Sequence, residues 1–263
     1  MYFAAKHKDV KLAQDYADCI ESESKRALII CDGIGEFEQS GIAAKIVVEQ
    51  LINTATKDDF DIKLSIKEAQ KEISQKNITG GTTLLSAIQS GKQSIDIHFL
   101  GNGGIIHLYG NFATNPYSDL PYRYAELMNP HVTPDGALIK HISFNSGELE
   151  LDVSTLNMSF NSHTGDIILL FSDGISSLEE KAIMKTDDGE LWRHENESIQ
   201  FILKQLNNFL IREADGFTAD GLNQFLEEVL ISMKDGGMLE DDASLGIVLT
   251  ENVINWYKSR KND

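Results

Sequence analysis

The chain has 263 residues, of which 41% are hydrophobic and 24% charged, as in one large globular domain, and we expect a single domain over residues 1–263. Its formal charge of −18, from 23 Lys and Arg against 41 Asp and Glu, argues against nucleic acid as a partner, because phosphate backbones bind basic surfaces. Such an acidic excess indicates a well-solvated surface or, alternatively, carboxylates that hold cations.

Cysteine usage and apolar segments indicate where the protein works. Cys19 and Cys31 lie in apolar stretches, which is typical of buried thiols rather than of a disulfide framework. No stretch approaches the roughly 18 apolar residues of a membrane span, and the first six residues lack the apolar centre of a secretory signal. We therefore expect a cytoplasmic, monomeric protein without a membrane partner.

The predicted elements occur in blocks along the chain. Short apolar runs rich in β-branched residues predict strands, and apolar residues spaced on one helical face predict helices near 42–51, 62–73, 199–210 and 222–233. Thr218 or Asp220 would cap the last helix. The predicted strands are Tyr16–Ile20, Ala27–Cys31, Ile95–Leu100, Ile105–Tyr109, Ile139–Phe144, Ile167–Phe171 and Leu245–Leu249.

The order of these elements predicts the fold class. Strands, two helices, more strands, two helices and a final strand do not form the regular alternation of a doubly wound parallel sheet. Two antiparallel sheets, each covered by a helix pair, would use every apolar face. We therefore predict an α+β fold, a four-layer α-β-β-α sandwich, with a tight hairpin at residues 100–105 around Asn102-Gly103.

Residues 111–136 contain all four prolines and three tyrosines with little periodicity. A loop of this length is often a functional flap, although a surface excursion without a role is an equally good interpretation. If it is a flap, it is the most plausible docking surface for a substrate.

Acidic residues fall where predicted strands begin or end. Asp32 and Asp173 each follow a buried apolar run and precede a glycine, while Asp15 and the pair Asp241-Asp242 lie just before a strand. Each motif alone is most simply a turn or a solvated acidic segment. Brought together, the carboxylates would repel one another unless cations neutralised them, and such hard oxygen ligands suit Mg²⁺ or Mn²⁺.

Six short motifs follow one another along almost the whole chain. They are Gln14-Asp15, Asp32-Gly33-Ile34-Gly35, Gly80-Gly81-Thr82-Thr83-Leu84-Leu85-Ser86-Ala87, Gly101-Asn102-Gly103, Ser172-Asp173-Gly174 and Asp241-Asp242-Ala243-Ser244. In order and spacing this series resembles the motifs of the metal-dependent protein phosphatases of type 2C. The opening segment, residues 7–16, is more similar to the bacterial branch of that family.

The resemblance implies a role for each acidic residue. Asp32 would bridge two metal ions, and the carbonyl of Gly33 would complete one coordination shell. Asp173 and Asp241 would bind the first metal ion, and Asp15 would hold metal-bound waters. The turn at residues 80–83, leading into a core strand, would be structural.

The resemblance also implies an activity. Two Mg²⁺ or Mn²⁺ ions would activate a bridging water to attack phosphorus in line, so no serine or cysteine nucleophile is required. The substrate would be phosphoserine or phosphothreonine in a phosphorylated protein, opposed by a cognate serine/threonine kinase.

Two departures from the family bear on a third, weaker metal ion. The family's Gly-Asp motif reads Gly101-Asn102 here, and the acidic residue four places after Asp173 is Ser177. Both acids are associated with the third ion in bacterial members. We therefore expect that site to be absent or altered.

Two further departures concern the substrate. A histidine that many eukaryotic members carry is Ile34 here, as in many bacterial relatives, so this loss indicates little. The family's arginine five residues before the aspartate of the first motif is Val10. The neighbouring Lys11 is the candidate phosphate ligand, although lysine lacks the bidentate fork of arginine; the alternative is an ordinary solvated lysine.

Two other functions stay open. Asn102, Ser177 and the missing arginine favour a pseudophosphatase, a regulatory binding module with this fold and little or no turnover. An unrelated dinuclear metal hydrolase acting on small phosphate esters is the third possibility. Six histidines show no metal-ligand spacing, and they and both tryptophans are expected to pack structurally: His98, His107, His131, His141, His163, His194, Trp192 and Trp256.

Overall fold

The computed structural model describes residues 1–22, 25–35, 37–110, 123–161, 164–175, 179–186, 189–195 and 197–260. The strands are β1 (Tyr2–Lys8), β2 (Tyr16–Glu21), β3 (Arg26–Cys31), β4 (Gly81–Thr82), β5 (Leu84–Gly91), β6 (Ser94–Leu100), β7 (Gly104–Gly110), β8 (Arg123–Glu126), β9 (Ile142–Ser143), β10 (Ser154–Ser159), β11 (Gly165–Phe171), β12 (Glu179–Thr186), β13 (Gly189–Glu195) and β14 (Ala243–Leu249). The helices are α1 (Ser40–Ala55), α2 (Ile62–Gln75), α3 (Glu197–Glu213), α4 (Ala219–Asp235) and α5 (Glu251–Arg260), with a 3₁₀ turn at Ala214–Gly216.

Two five-stranded sheets form the centre of the fold. Their strand orders are β1-β14-β11-β7-β8 and β10-β6-β5-β3-β2, and every neighbouring pair is antiparallel. Two small sheets, β12-β13 and β4-β9, lie outside them. The predicted α+β class with two antiparallel sheets is confirmed.

The side-chain alternation of the central strands explains the layers. In β3, Leu28 and Ile30 pack between the two sheets, whereas Ile29 and Cys31 pack under α1 and α2. In β11, the even-numbered residues 168 and 170 likewise face the other sheet, and residues 167 and 169 face α3 and α4. Because successive strand side chains point to opposite faces, the apolar residues of each of these strands contribute to two of the three core layers.

Helix ends follow local capping chemistry. Asp61 accepts hydrogen bonds from the backbone N–H groups of Lys63 and Leu64 at the start of α2. Thr218 accepts one from the N–H of Gly221 at the start of α4, so Thr218, not Asp220, is the cap. Among the helices of the described residues, none is long and apolar enough to cross a bilayer.

The predicted hairpin around Asn102-Gly103 is wrong. β6 and β7 belong to different sheets, so the turn between them carries the chain from one layer to the other. Gly101 and Gly103 have φ values of +94° and +109°, which residues other than glycine rarely adopt. The glycines correctly indicated a turn, but the strands on its two sides pair with other strands, in separate sheets.

Two other expectations need correction. Of the strand predicted at residues 139–144, only Ile142–Ser143 is a strand, and Ile139 is half exposed. Of the proposed flap, residues 111–122 lie outside the described residues. Arg123–Glu126 is a strand that pairs with β7, so this part extends the sheet and is not a free loop.

A buried histidine makes the sandwich sensitive to acid. His98 is 6% exposed, and its Nδ1 lies 3.0 Å from the Thr155 hydroxyl. Burial lowers the pKa of His98 to about 4 although the nearby charge of Asp96 opposes this. The neutral ring therefore stabilises the fold above the unfolded pKa of about 6.5, and this contribution, about 3 kcal/mol, is lost as pH falls toward 4.

We therefore expect the difference in unfolding free energy between the native chain and His98→Gln to shrink as pH falls from 7 to 4, in chemical denaturation at each pH. A difference independent of pH would contradict this account. All other titrating groups are common to both proteins, so their contributions to the pH dependence cancel in this difference in unfolding free energy.

Candidate metal centre

The backbone of Asp32 is held by hydrogen bonds to Thr82 and Thr83. Its carbonyl oxygen accepts hydrogen bonds from the Thr83 N–H at 2.8 Å and from the Thr82 hydroxyl at 2.9 Å. Its own N–H donates to the Thr83 hydroxyl at 3.2 Å. The residues between α2 and β5 therefore fix the backbone from which the Asp32 carboxylate projects.

The glycines after Asp32 and Asp173 permit close backbone contact. A Cβ atom on Gly33 would lie 2.7 Å from the carbonyl oxygen of Gln14, and one on Gly174 would lie 2.1 Å from that of Asp242. Both distances are shorter than van der Waals contact. The two strand ends therefore meet the segments before β2 and β14 because neither glycine has a side chain.

Asp15 is buried where both sheets end. It is 3% exposed, and the Ser172 hydroxyl donates to its Oδ2 at 2.8 Å. The N–H of Ser244 in turn donates to the Ser172 hydroxyl at 2.8 Å. This chain of hydrogen bonds links the start of β2 to the end of β11 and the start of β14.

Asp242 organises the loop before Asp15. Its carboxylate accepts four backbone N–H bonds, from Val10 at 2.6 Å, Lys11 at 2.8 Å, Leu12 at 3.2 Å and Gln14 at 2.8 Å. Burial acts to raise the pKa of Asp242, but these donors outweigh burial and leave the pKa below its usual value. The ionised Asp242 is thus a structural group.

Asp241 and Asp173 present more exposed carboxylates. The side chain of Asp241 is 60% exposed, and the Nζ of Lys11 lies 4.0 Å from its Oδ2. Asn102 donates from its Nδ2 to Asp173 Oδ2 at 2.6 Å. The Oδ1 of Asn102 is buried and has no hydrogen-bond partner in the described chain.

These carboxylates line one cleft of about 130 Å³. Burial first, and then the charges of Asp15 and Asp173, raise the pKa of Asp32 well above its usual value. Burial likewise raises the pKa of Asp15 to about 6, partly opposed by the Ser172 hydroxyl. The structure brings Asp15, Asp32, Asp173 and Asp241 to one cleft, and burial destabilises the charged forms of Asp15 and Asp32.

The donor set fits a hard divalent cation in chemistry and charge. Carboxylate and carbonyl oxygens are the ligands of Mg²⁺ and Mn²⁺, and a cation would relieve the repulsion that raises the Asp32 pKa. In the part of the chain that the structure describes, no three acidic, histidine or cysteine side chains already converge as a formed metal site.

Other predicted site residues have definite places. Val10 lies at the position of the family's arginine. Its backbone N–H donates to Asp242, and its side chain packs against the core under α3 and α4. Lys11 is 57% exposed beside Asp241, and Ser177 lies outside the described residues. The sequence reasoning missed the roles of Asp242 and Ser172, whose only signal was their place within the Asp-Asp-Ala-Ser and Ser-Asp-Gly motifs.

Solved structures of serine/threonine phosphatases share this architecture. Serine/threonine phosphatase Stp1 from Staphylococcus aureus matches at 14% identity with a TM-score of 0.61, over 95% of this chain and 96% of that one. The catalytic domain of PstP in complex with 2 manganese ions matches at 15% identity and 0.56, over 94% and 97%. The chain has the type 2C phosphatase fold.

The likeness is one of fold. A C. elegans sex determining protein is also similar in structure, at 11% identity and a TM-score of 0.60, over 98% of this chain and 66% of that one. No protein-family model matches the chain, and no curated protein sequence matches it. Because function lives in sites rather than in folds, the roles of individual residues rest on the cleft itself.

Proposed function

We propose that the protein is a metal-dependent hydrolase that removes phosphate from phosphoserine and phosphothreonine in proteins. The observation that carries the proposal is the cleft lined by Asp15, Asp32, Asp173 and Asp241, in which the pKa values of two carboxylates are raised. A protein without cation chemistry has no need to keep such a repulsive cluster. The fold, shared with serine/threonine phosphatases, supports the substrate class.

The metal ligands in this proposal are Asp32, the Gly33 carbonyl, Asp173 and Asp241, with Asp15 orienting waters around the ions. When bound, two Mg²⁺ or Mn²⁺ ions would supply the water nucleophile and offset negative charge on the phosphoryl oxygens. The only hydroxyl side chain that lines the described cleft is Thr83, and it already accepts the Asp32 N–H. Among the described residues that line the cleft there is no serine or cysteine, in keeping with direct attack by water.

The chain's own residues position these groups. The threonines at 82 and 83 fix the backbone of Asp32, and the Ser172 hydroxyl orients Asp15. Asn102 holds one oxygen of Asp173. In this proposal Lys11, which lies 4.0 Å from Asp241, would attract the phosphate of a phosphoprotein that a serine/threonine kinase has produced.

One observation favours a regulatory binding module instead. Asn102 is a neutral amide at a position where a carboxylate would add negative charge to the cleft. Its Nδ2 group already donates a hydrogen bond to Asp173 Oδ2. In this second candidate function the cleft binds cations and phosphorylated partners without turnover. Hydrolysis of a phosphothreonine peptide, with para-nitrophenyl phosphate as a small-ester comparison, separates the enzyme from the module and from a small-ester hydrolase.

Asn102→Asp tests whether the cleft responds to cations. A carboxylate at 102 would face Asp173 Oδ2 at the present hydrogen-bond distance, so the metal-free variant should melt at a lower temperature than the native chain. The rise in melting temperature on adding Mn²⁺ should be larger than in the native chain, because a cation neutralises the added repulsion.

Asn157→Asp is the matched control. Asn157 Nδ2 donates to Asp96 Oδ1 at 2.8 Å on the exposed surface, so the same substitution creates the same kind of carboxylate pair away from the cleft. We expect no change there in the response to Mn²⁺. Equal Mn²⁺ responses of the two variants in thermal melting would contradict a cation site at Asp173.

A further inference from the structure

The turn between β6 and β7 is held by a residue outside both strands. Gly101 follows the last residue of β6, so its backbone groups lie beyond the strand ladder. The N–H of His131 donates to the Gly101 carbonyl at 2.8 Å, and the N–H of Gly101 donates to His131 Nδ1 at 3.2 Å. One residue, 30 positions away in the chain, therefore clamps Gly101 with its main chain and its side chain.

Two further contacts fix the position and the protonation state of the His131 ring. The ring stacks on Phe99, with centroids 5.1 Å apart and an angle of 14° between the planes, and its Nε2 lies 2.8 Å from the Ser154 hydroxyl. Because Nδ1 accepts from Gly101, the proton of the neutral ring is on Nε2 and faces Ser154. Protonation of Nδ1 would place two donors face to face, so only the neutral ring makes this set of contacts.

The clamped turn contacts the supports of two carboxylates in the acidic cleft. Gly101 packs closely on Thr83, because a Cβ atom on Gly101 would lie 2.6 Å from Thr83 Cγ2. The Thr83 hydroxyl accepts the N–H of Asp32. The next residue of the turn, Asn102, donates to Asp173 Oδ2 at 2.6 Å. A shift of the turn would therefore act on groups that orient two of the proposed metal ligands.

His131 also begins a short hairpin that reaches the cleft. Its carbonyl accepts from the N–H of Ile139 at 2.8 Å. Val132 pairs with Leu138 in an antiparallel bridge, and Leu138 lines the cleft. The residue that clamps the turn therefore also anchors an apolar part of the cleft wall.

We propose that neutral His131 is a positioning residue of the acidic cleft, which holds the turn at residues 101–102 so that Asn102 stays bound to Asp173, and that protonation of His131 releases this turn. The inference adds regulation by pH to the site described under the proposed function, and its consequence for cation binding rests on that function. The clamp itself is a property of the metal-free protein.

The groups around His131 set the pH range of this control. Burial, and then the charge of Lys140, lower the pKa of His131, while the charge of Asp152 opposes them. The ring is therefore neutral at neutral pH, and the clamp is lost only as pH falls below the ordinary histidine value of about 6.5.

The first test uses the metal-free protein and measures hydrogen exchange at the Gly101 amide by NMR. His131→Phe keeps a ring to stack on Phe99 but has no acceptor, so the protection factor of Gly101 should fall about tenfold. His131→Asn keeps an acceptor near the position of Nδ1 and should stay within about threefold of the native value. As pH falls from 7.5 to 5, protection should decrease in the native chain but not in His131→Asn, because asparagine does not titrate.

The second test measures Mn²⁺ affinity by calorimetry at neutral pH. His131→Phe should bind Mn²⁺ about fivefold more weakly than the native chain, and His131→Asn should restore most of the affinity. His98→Phe is the matched control, because it removes a histidine bonded at 3.0 Å to Thr155, the next hydroxyl of β10, and leaves the Gly101 clamp in place. It should lower the melting temperature without changing Gly101 protection or Mn²⁺ affinity.

Each outcome decides one part of the proposal. The positioning role is overturned if His131→Phe protects Gly101 as the native chain does, if His98→Phe exposes Gly101 equally, or if His131→Asn behaves as His131→Phe does. Unchanged Mn²⁺ affinity in a His131→Phe chain that has lost Gly101 protection would overturn the link from the turn to the cleft. A native chain that does not bind Mn²⁺ would overturn the proposed metal centre, and the exchange measurements would still decide the role of His131.

Discussion

Asp32→Asn is expected to have opposite effects on the metal-free and the metal-loaded protein. In the metal-free chain, burial and the charges of Asp15 and Asp173 raise the pKa of Asp32, so the ionised form destabilises the fold. The neutral amide removes that repulsion while keeping the side-chain shape. The melting temperature of the metal-free variant should therefore rise by a few degrees, at about 2–4 °C per kcal/mol.

The same substitution removes the ligand proposed to bridge two cations. The rise in melting temperature that Mn²⁺ causes in the native chain should disappear, together with any metal-dependent hydrolysis. Asp58→Asn, which removes one negative charge from a fully exposed side chain, controls for net charge and should change neither quantity. A metal-free Asp32→Asn protein that is less stable than the native chain would contradict the electrostatic account.

The same buried carboxyl groups determine how the stability of the metal-free protein changes with pH. The pKa of Asp15 is about 6 in the fold, above its unfolded value near 4, so its contribution is fully present below pH 4 and is lost as pH rises through 6. The metal-free protein should gain more from Asp32→Asn at neutral than at acidic pH.

Asp242→Ala is expected to be the most destabilising single change near the cleft. Four backbone N–H groups between residues 10 and 14 would lose the carboxylate that accepts them. Bonds to a charged acceptor are strong, and donors left unpaired add a desolvation cost. We expect a loss of about 3–5 kcal/mol in the free energy of unfolding, measured by chemical denaturation.

The neighbouring aspartate is the control for this prediction. Asp241→Ala removes a 60% exposed side chain that accepts the Asp242 N–H at 3.0 Å and lies 4.0 Å from the Lys11 Nζ, so its effect on stability should be no more than about 1 kcal/mol. Its effect should instead fall on Mn²⁺ affinity. If both substitutions destabilise the protein equally, the structural role assigned to Asp242 is wrong.

The layers of the fold could be predicted because they follow from apolar patterns within single strands and helices. Five successive residues of β3, β11 and β14 are apolar, at 27–31, 167–171 and 245–249, which is typical of strands buried on both faces. The amphipathic faces of α1 to α4 need a sheet to cover. The elements it missed have weak local signals. β1 reads Tyr-Phe-Ala-Ala-Lys-His-Lys, and β10 alternates half-buried and exposed residues without a strong apolar face.

The cleft could be predicted only as a set of residue types. Strand ends that carry Asp15, Asp32, Asp173 and Asp241 are visible in the sequence, and the order of the motifs brings them together. The partners of Asp242 lie 228 to 232 residues away in the chain, and no local sequence pattern predicts these contacts. The pairing of Asn102 with Asp173, 71 residues apart, is likewise a product of the fold.

The most direct test of the central claim is hydrolysis of a phosphothreonine peptide with and without Mn²⁺, comparing the native chain with Asp173→Asn and Asp58→Asn. The account predicts Mn²⁺-dependent release of phosphate by the native chain and by Asp58→Asn, and none by Asp173→Asn. Turnover that does not depend on Mn²⁺, or that survives in Asp173→Asn, would contradict it. Mn²⁺ binding to the native chain without any turnover would establish the regulatory module in place of the enzyme.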